Sequence, residues 1–135
     1  MRVTGKNVFN ELDVNSIKRI YLSKNFNDKN ILNIIHKNNL KYIITEQKVL
    51  DKMISHNQGI VVDIDDYKYK DINVIDDNYV IILDHLEDPH NFGAIIRTAE
   101  SRGIKNIIIP KDRSVSVNET VMKCSAGTLT HVNII

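Results

Sequence analysis

The residues best able to do chemistry lie in one stretch, residues 83–100, between a predicted strand and a predicted helix. Asn91 is predicted to cap that helix, because its side chain can accept hydrogen bonds from the exposed amides of the first turn. Gly93 removes a side chain where another group could approach the backbone. Arg97 lies off the apolar stripe of the helix, where its planar guanidinium can hold a phosphate or a ribose oxygen.

Each of these residues also has an ordinary structural explanation. A capping asparagine is often only a cap, a helical glycine often reflects tight packing, and Arg97 could simply pair with Glu100 one turn later. His85 and His90 could form a metal-binding or acid–base pair, but no other ligand set accompanies them, so we predict no metal site. The residue types alone therefore predict a polar site at a strand end and leave the reaction open.

The elements around this stretch predict a parallel sheet in residues 79–135. The apolar run Tyr79–Asp84 shows no alternation, which is typical of a strand buried on both faces of such a sheet. A helix, a strand, a second helix and a third strand follow it, at residues 91–102, 106–109, 118–124 and 130–134. Since ligands collect outside the carboxyl ends of parallel strands, residues 83–100 lie where a site is expected.

The preceding residues, 1–66, are predicted to form a separate, small α/β domain. Residues 67–78 are acidic and weakly periodic, and are predicted to be a linker whose tyrosines and isoleucines pack in part on a neighbour. The predicted fold class of the whole chain is therefore α/β. In the first domain the predicted helices are Lys6–Leu12, Asp28–Asn38 and Glu46–Ile54, and the predicted strands are Ile17–Leu22, Lys41–Thr45 and Ile60–Ile64.

Composition and charge narrow the class of protein. No apolar run approaches the roughly 20 residues of a membrane-spanning helix, and the N-terminus lacks a signal-peptide pattern. Cys124 is the only cysteine and cannot form an internal disulfide, so we expect a cytoplasmic protein. The net charge of +1 hides a local balance of +5 over residues 1–52, where ten Lys or Arg face five Asp or Glu. That balance fits a domain that contacts phosphate, and fits a solvated lysine-rich surface equally well.

Within residues 83–100, three groups follow one another: Leu83-Asp84, Asp88-Pro89-His90-Asn91-Phe92-Gly93 and Ile96-Arg97-Thr98-Ala99. Together they closely resemble the first signature motif of the SpoU–TrmH family of RNA 2′-O-ribose methyltransferases. The resemblance continues through residues 107–114 and 123–127, and reaches back to residues 5–8 and 58–61. Within the family the chain is most similar to the bacterial enzymes that methylate a guanosine ribose in large-subunit ribosomal RNA, whose N-terminal domain resembles a small ribosomal protein.

The resemblance implies the trefoil-knotted α/β fold of the SPOUT class. It also implies S-adenosylmethionine as methyl donor, ribosomal RNA as substrate, and a homodimer in the complete protein. It assigns Arg97 and Asn91 to the catalytic site. Because the pKa of an arginine lies above about 12, we expect Arg97 to orient the ribose and stabilise developing oxyanion charge, while a substrate phosphate or another residue takes the proton. The predicted RNA contacts are Arg2, Lys6, Lys111 and Arg113.

Two departures from the family pattern affect these expectations. Relatives usually have a histidine directly before the Gln-Gly pair, whereas this chain has Asn57 there and His56 one position earlier. The family's Gly-Glu-Gly and Ser/Asn-rich motifs, which hold the cofactor, are expected beyond Ile135. We therefore predict that this chain contains only the first half of the methyltransferase domain, lacks the knot, and is inactive alone.

Two other functions stay open at this point. The first is a non-catalytic RNA-binding protein, in which both domains hold structured RNA without a cofactor. The second is a nucleotide-binding domain of Rossmann type, which is disfavoured because the junction at residues 88–93 has no Gly-x-Gly-x-x-Gly loop.

Overall fold

The computed structural model of the protein describes residues 1–76 and 79–135. The chain divides into two compact units, Met1–Asp66 and Tyr67–Ile135. Each unit combines helices with a β-sheet, which confirms the α/β class. Across the described residues, no helix has the length and apolar character that crossing a membrane requires.

The first unit contains a four-stranded sheet with the strand order β1-β4-β2-β3. Strands β2 and β3 are parallel, whereas β4 runs antiparallel to both of its neighbours. The helices lie close to their predicted positions, but the short strand β1 was not predicted. The strands are β1 (Arg2–Thr4), β2 (Ile17–Ser23), β3 (Tyr42–Thr45) and β4 (Ile60–Ile64), and the helices are α1 (Lys6–Glu11), α2 (Lys29–Lys37) and α3 (Gln47–Met53).

Helix α2 shows how the sequence defines these elements. Asp28 caps it by accepting a hydrogen bond from the backbone N–H of Ile31 at 3.1 Å. Ile31 and Ile35, four residues apart, are both fully buried, so one apolar stripe faces the core. Strand β4 also contributes to the core of this unit: Ile60, Val61 and Val62 are all buried, and the strand has neighbours on both edges.

Asn57, the residue that departs from the family pattern, has a structural role in the turn before β4. Its side chain is 1% exposed. The side-chain amide donates to Asp51 and to the carbonyl of Ile54, and the side-chain oxygen accepts from the backbone N–H of Gly59. These three bonds fix the turn, so a histidine at this position would not satisfy the same partners.

The second unit contains a parallel three-stranded sheet with the order β5-β6-β7. The predicted strand–helix–strand–helix–strand order is confirmed. The third strand is shorter than predicted, because residues 128–131 form a 3₁₀ helix. The strands are β5 (Ile81–Ile82), β6 (Asn106–Ile108) and β7 (Asn133–Ile134), and the helices are α4 (Pro89–Ser101) and α5 (Glu119–Cys124).

The prediction of a doubly buried first strand is wrong. Only two residues of the predicted run Tyr79–Asp84 form β5, and Tyr79 and Ile82 are 74% and 71% exposed. The physical reason is position: β5 lies at the edge of the described sheet and pairs with β6 alone. An apolar run indicates that a strand can be buried, but its actual burial depends on the strands and helices that pack against it.

The segment predicted to be a linker packs in part on its neighbour, as its tyrosines suggested. Residues 67–76 belong to the second unit, and residues 77 and 78 lie outside the described residues. The hydroxyl of Tyr67 donates to the carbonyl of Val132 at 3.2 Å and accepts from the N–H of Ile134 at 2.9 Å. The backbone N–H of Lys70 donates to the carbonyl of Ile134 at 2.8 Å. These bonds attach the segment to β7 and its approach.

Candidate functional site

The corner between β5 and α4 is anchored by the strand and loop that follow it in the chain. The N–H of Leu83 donates to the carbonyl of Ile108 at 2.9 Å. The carbonyl of Leu86 accepts two bonds from the loop after β6, from the N–H of Val115 at 2.6 Å and from the hydroxyl of Ser114 at 3.2 Å. The backbone of the corner is therefore fixed at the carboxyl ends of the strands, where parallel sheets form their sites.

The start of α4 corrects the predicted cap. The helix begins at Pro89, and Asp88 is the cap, since its side chain accepts a hydrogen bond from the N–H of His90 at 2.9 Å. Proline favours the first helical position because its fixed φ suits a helix and its missing N–H has no partner to lose there. Asn91 therefore lies inside the first turn, and its exposed side chain is not used as a cap.

Gly93 permits close packing between α4 and α5. A Cβ atom added at Gly93 would lie 2.5 Å from the Cβ of Cys124 and 3.0 Å from the backbone nitrogen of Ser125. The position is buried, so tight packing, not access for a ligand, explains the glycine. His90 lies at the same contact, with its Nδ1 3.2 Å from the Sγ of Cys124.

Arg97 is exposed on the flank of α4 that also carries His90 and Gly93. Throughout residues 1–76 and 79–135 it makes no ion pair or hydrogen bond, so the pairing with Glu100 considered from the sequence is not present. Asn91 and Arg97 are six residues apart, which places them about 120° apart around the helix axis. The structure therefore puts the two predicted catalytic residues on one helix but on different flanks.

Asn91 faces a shallow cavity of about 470 Å³ between α4 and β5. Ile81, Leu86, Ile95 and Thr98 also line this cavity, which is open to solvent. Arg97 is not among its lining residues. The cavity thus brings Asn91 close to the corner loop, while the guanidinium of Arg97 lies outside it.

The two loop histidines have separate partners and do not form a pair. His85 contacts the carboxylate of its neighbour Asp84, and His90 contacts Cys124. In the part of the chain that the structure describes, no group of three or more His, Cys, Asp or Glu side chains is arranged to hold a metal ion.

The predicted phosphate contacts of the first unit are engaged by carboxylates. Arg2 donates from Nε and Nη2 to both oxygens of Asp63, at 2.6 and 3.0 Å, and its guanidinium lies over the ring of Tyr21. This pair raises the pKa of Arg2 and lowers the pKa of Asp63. The ammonium of Lys6 lies 3.6 Å from Asp28.

The predicted phosphate contacts of the second unit, unlike those of the first, have no carboxylate partner among the described residues. Lys111 and Arg113 are exposed in the loop after β6, and neither forms an ion pair with any residue that the structure describes. Arg113 also has a positive φ of 54°, an uncommon backbone conformation for a residue other than glycine.

A second cavity in this unit, which we call the Tyr69 cavity, was not predicted from the sequence. It has a volume of about 410 Å³. Its signal in the sequence is the pair of tyrosines at residues 67 and 69 within an otherwise acidic segment. It is lined by Tyr69, by Ile109, Pro110 and Lys111 at the end of β6, by residues 114–116 and by Ile135.

Comparison with known proteins identifies the family. The sequence model of the SpoU rRNA Methylase family matches residues 78–135. A second model, RNA 2′-O ribose methyltransferase substrate binding, matches residues 2–70, half of the chain. The chain belongs to the SpoU methylase family.

Proteins of similar sequence are named as members of the TrmH family. A TrmH family tRNA/rRNA methyltransferase of Bacillus subtilis, YacO, is 33% identical over 113 residues, which is 77% of this chain and 45% of the relative. A protein named in the same way from Staphylococcus haemolyticus is 32% identical over 98% of this chain and 59% of its own length. The chain thus spans about half the length of these SpoU-family relatives.

Solved structures show the same fold. The SpoU methyltransferase AviRb from Streptomyces viridochromogenes, crystallised in complex with the cofactor AdoMet, matches with a TM-score of 0.80 at 15% identity, over 100% of this chain and 53% of AviRb. An AdoMet-bound rRNA methyltransferase from Sinorhizobium meliloti matches with a TM-score of 0.75 at 21% identity, over 98% of this chain and 52% of that protein. The SpoU fold is therefore present in both units.

Proposed function

We propose that this chain is the front part of an S-adenosylmethionine-dependent RNA 2′-O-ribose methyltransferase. The observation that carries the proposal is the pair of family matches, which run from residue 2 to residue 135 and join a substrate-binding region to a methylase region. The finer proposal is that the substrate is a guanosine of large-subunit ribosomal RNA. We expect the complete protein to be a cytoplasmic homodimer.

Ribose methylation breaks a sulfur–methyl bond, forms an oxygen–methyl bond and releases the proton of the 2′-hydroxyl. The cofactor supplies the electrophilic methyl group. The task of this chain is to hold the ribose oxygen in position and to stabilise the negative charge that develops on it. Arg97 suits that task, since its side chain is exposed on α4 and forms no ion pair or side-chain hydrogen bond among the described residues. A substrate phosphate or a residue outside this chain then takes the proton.

The two cavities described above do not fit the cofactor. S-adenosylmethionine has a net positive charge, since its sulfonium and ammonium outweigh its one carboxylate, and ribose hydroxyls of bound nucleosides are commonly held by a carboxylate of the protein. Neither lining contains an Asp or a Glu, and each contains a cation, Lys111 in one and Arg102 in the other. We therefore assign no cofactor-holding residue among those described and derive no step through the cofactor.

The proposal is tested by mapping ribose methylation in ribosomal RNA from cells that lack this reading frame. Primer extension at low nucleotide concentration stops at 2′-O-methylated positions. We expect one stop to disappear on deletion and to return when the intact gene is restored. Unchanged methylation of all ribosomal RNA in the deletion strain would contradict the proposed substrate.

The alternative function is an RNA-binding protein that holds no cofactor. The poor fit of both cavities to S-adenosylmethionine favours this function for the 135 residues by themselves. Calorimetric titration separates the two possibilities, since a micromolar dissociation constant for S-adenosylmethionine would exclude the alternative.

A further inference from the structure

We propose that the Tyr69 cavity receives an unstacked base of the substrate RNA, with Lys111 holding the adjoining phosphate. The inference rests on the proposed function in one respect, that RNA is the substrate. It goes further by assigning a specific subsite to the loop after β6. Single-stranded RNA is commonly bound by aromatic side chains that stack on splayed bases and by cations that contact the backbone.

The size and lining of the cavity fit a planar base. Its volume of about 410 Å³ lies within the range of roughly 300–1,000 Å³ that is typical of ligand-binding cavities. Ile109, Pro110, Val115 and Ile135 supply apolar walls. The hydroxyl groups of Ser114 and Ser116 lie among these walls, where they can meet the polar edge of a base.

Tyr69 is held in place before any ligand binds. Its hydroxyl accepts a hydrogen bond from the backbone N–H of Val117 at 2.8 Å. Its ring packs edge-on against Tyr67, with a centroid distance of 5.4 Å and an interplanar angle of 78°. Tyr67 is itself hydrogen-bonded to Val132 and Ile134.

Although it is fixed at both ends, the side chain of Tyr69 stays 48% exposed. A base that stacks on this ring therefore does not have to order a mobile side chain first, which lowers the entropic cost of binding.

The charge of the cavity favours RNA over the cofactor. Lys111 lies at the rim, is exposed, and forms no ion pair within residues 1–76 and 79–135. A cation in this position attracts a phosphate and repels a sulfonium. The cavity is also connected to the corner loop that leads into α4, because Ser114 and Val115 both bond to the carbonyl of Leu86. A bound base would thus lie on a loop that is fixed to the start of the helix that carries Arg97.

A single-tryptophan variant tests the inference directly. The sequence contains no tryptophan, so Tyr69→Trp introduces one fluorophore at the cavity. Titration of the full chain with short single-stranded oligoribonucleotides should quench its fluorescence to saturation. Tyr79→Trp is the matched control, since Tyr79 is an exposed tyrosine of the same unit that does not line the cavity, and its fluorescence should stay unchanged.

Two further titrations identify the ligand. Saturable quenching of Tyr69→Trp by adenosine or S-adenosylmethionine, without quenching by RNA, would overturn the inference and give the cavity to a small nucleoside. Quenching by RNA that persists in Lys111→Ala with an unchanged salt dependence would remove Lys111 from the proposal. We expect instead that Lys111→Ala reduces the slope of log affinity against log salt by about 0.7.

Affinity measurements complete the test. Tyr69→Ala should weaken RNA binding about tenfold, and Tyr69→Phe, which keeps the ring, should restore most of it. These measurements need no cofactor, so they separate the two proposals. If Tyr69→Ala leaves both methylation and RNA affinity unchanged, only the cavity proposal is contradicted. The proposed function is contradicted by a different result, unchanged methylation in the deletion strain.

Discussion

The candidate cations of the two units differ in what they contact. In the first unit, Arg2 and Lys6 face the carboxylates of Asp63 and Asp28. In the second unit, Arg97 and Lys111 face solvent, without ion pairs among the described residues. The first unit is the more basic one, but the candidate cations that are available to a phosphate lie in the second unit. The local charge balance of a sequence shows where cations are frequent. Which of them can contact RNA depends on whether a carboxylate already pairs with them.

The largest expected effect comes from Arg97→Ala. Removing a donor that stabilises transition-state charge should reduce ribose methylation at least about 100-fold, with RNA affinity within a few-fold of the unaltered protein. The measurement is primer extension in the deletion strain complemented with each variant. Arg102→Ala is the matched control, because Arg102 is an exposed arginine at the end of the same helix. Normal methylation by Arg97→Ala would remove Arg97 from the mechanism.

Gly93→Ala tests the close contact between α4 and α5. The added Cβ would lie 2.5 Å from the Cβ of Cys124, so we expect the free energy of unfolding to fall by about 1–3 kcal/mol. Urea denaturation followed by circular dichroism measures the loss. Gly103→Ala provides a comparison, since nothing lies within 4 Å there and only its positive φ of 74° opposes alanine, at about 1 kcal/mol. Equal losses in both variants would mean that the close contact is absent.

The comparison between the two units is tested by removing the charge of one cation that pairs with a carboxylate and of one that does not. Arg113→Gln should weaken RNA binding several-fold and reduce the salt slope by about 0.7–0.9. Arg2→Gln should change RNA affinity less, because both oxygens of Asp63 already occupy the guanidinium. Filter binding at several salt concentrations gives both quantities. A larger loss of affinity in Arg2→Gln would show that RNA displaces Asp63. It would mean that the cations of the first unit, and not those of the second, contact the RNA.

The smallest effect is expected for Asp63→Asn. Loss of this partly exposed ion pair should lower the free energy of unfolding by less than about 1 kcal/mol. Because Arg2 lowers the pKa of Asp63, the contribution is fully present above the unfolded-state pKa of about 4, and is lost as pH falls through the lowered folded-state value. Urea unfolding at pH 7 and at a pH below the lowered folded-state pKa of Asp63 should therefore show a difference from the unaltered protein only at the higher pH.

Local patterns predicted most of the secondary structure of the first unit. Helix α2 was predictable because Asp28 supplies a cap and Ile31 and Ile35 repeat at helical spacing. Strand β1 was missed because its three residues pair with β4 about sixty residues later, so no local pattern defines them. The ion pair of Arg2 with Asp63 was missed for the same reason.

The candidate site was predicted in part. Its location at the end of β5 follows from the order of strands and helices, but the cap was assigned to Asn91, although the Asp88-Pro89 pair marks the helix start more strongly. The exposure of β5 could not be predicted, since it depends on which neighbours the edge strand has. Tyr69 was missed because its role depends on a contact with Val117, far along the chain.

The carbonyl oxygen of Leu86 accepts hydrogen bonds from both Val115 and Ser114, and so joins two loops that are separate in the sequence. Loops joined in this way keep a constant separation. Tyr69 bonds to one of them through Val117, and α4, which carries Arg97, follows the other, so we expect the protein to set how many nucleotides fit between the base at Tyr69 and the ribose at Arg97. An RNA with one nucleotide inserted between those two positions should therefore be methylated at a shifted residue or not at all.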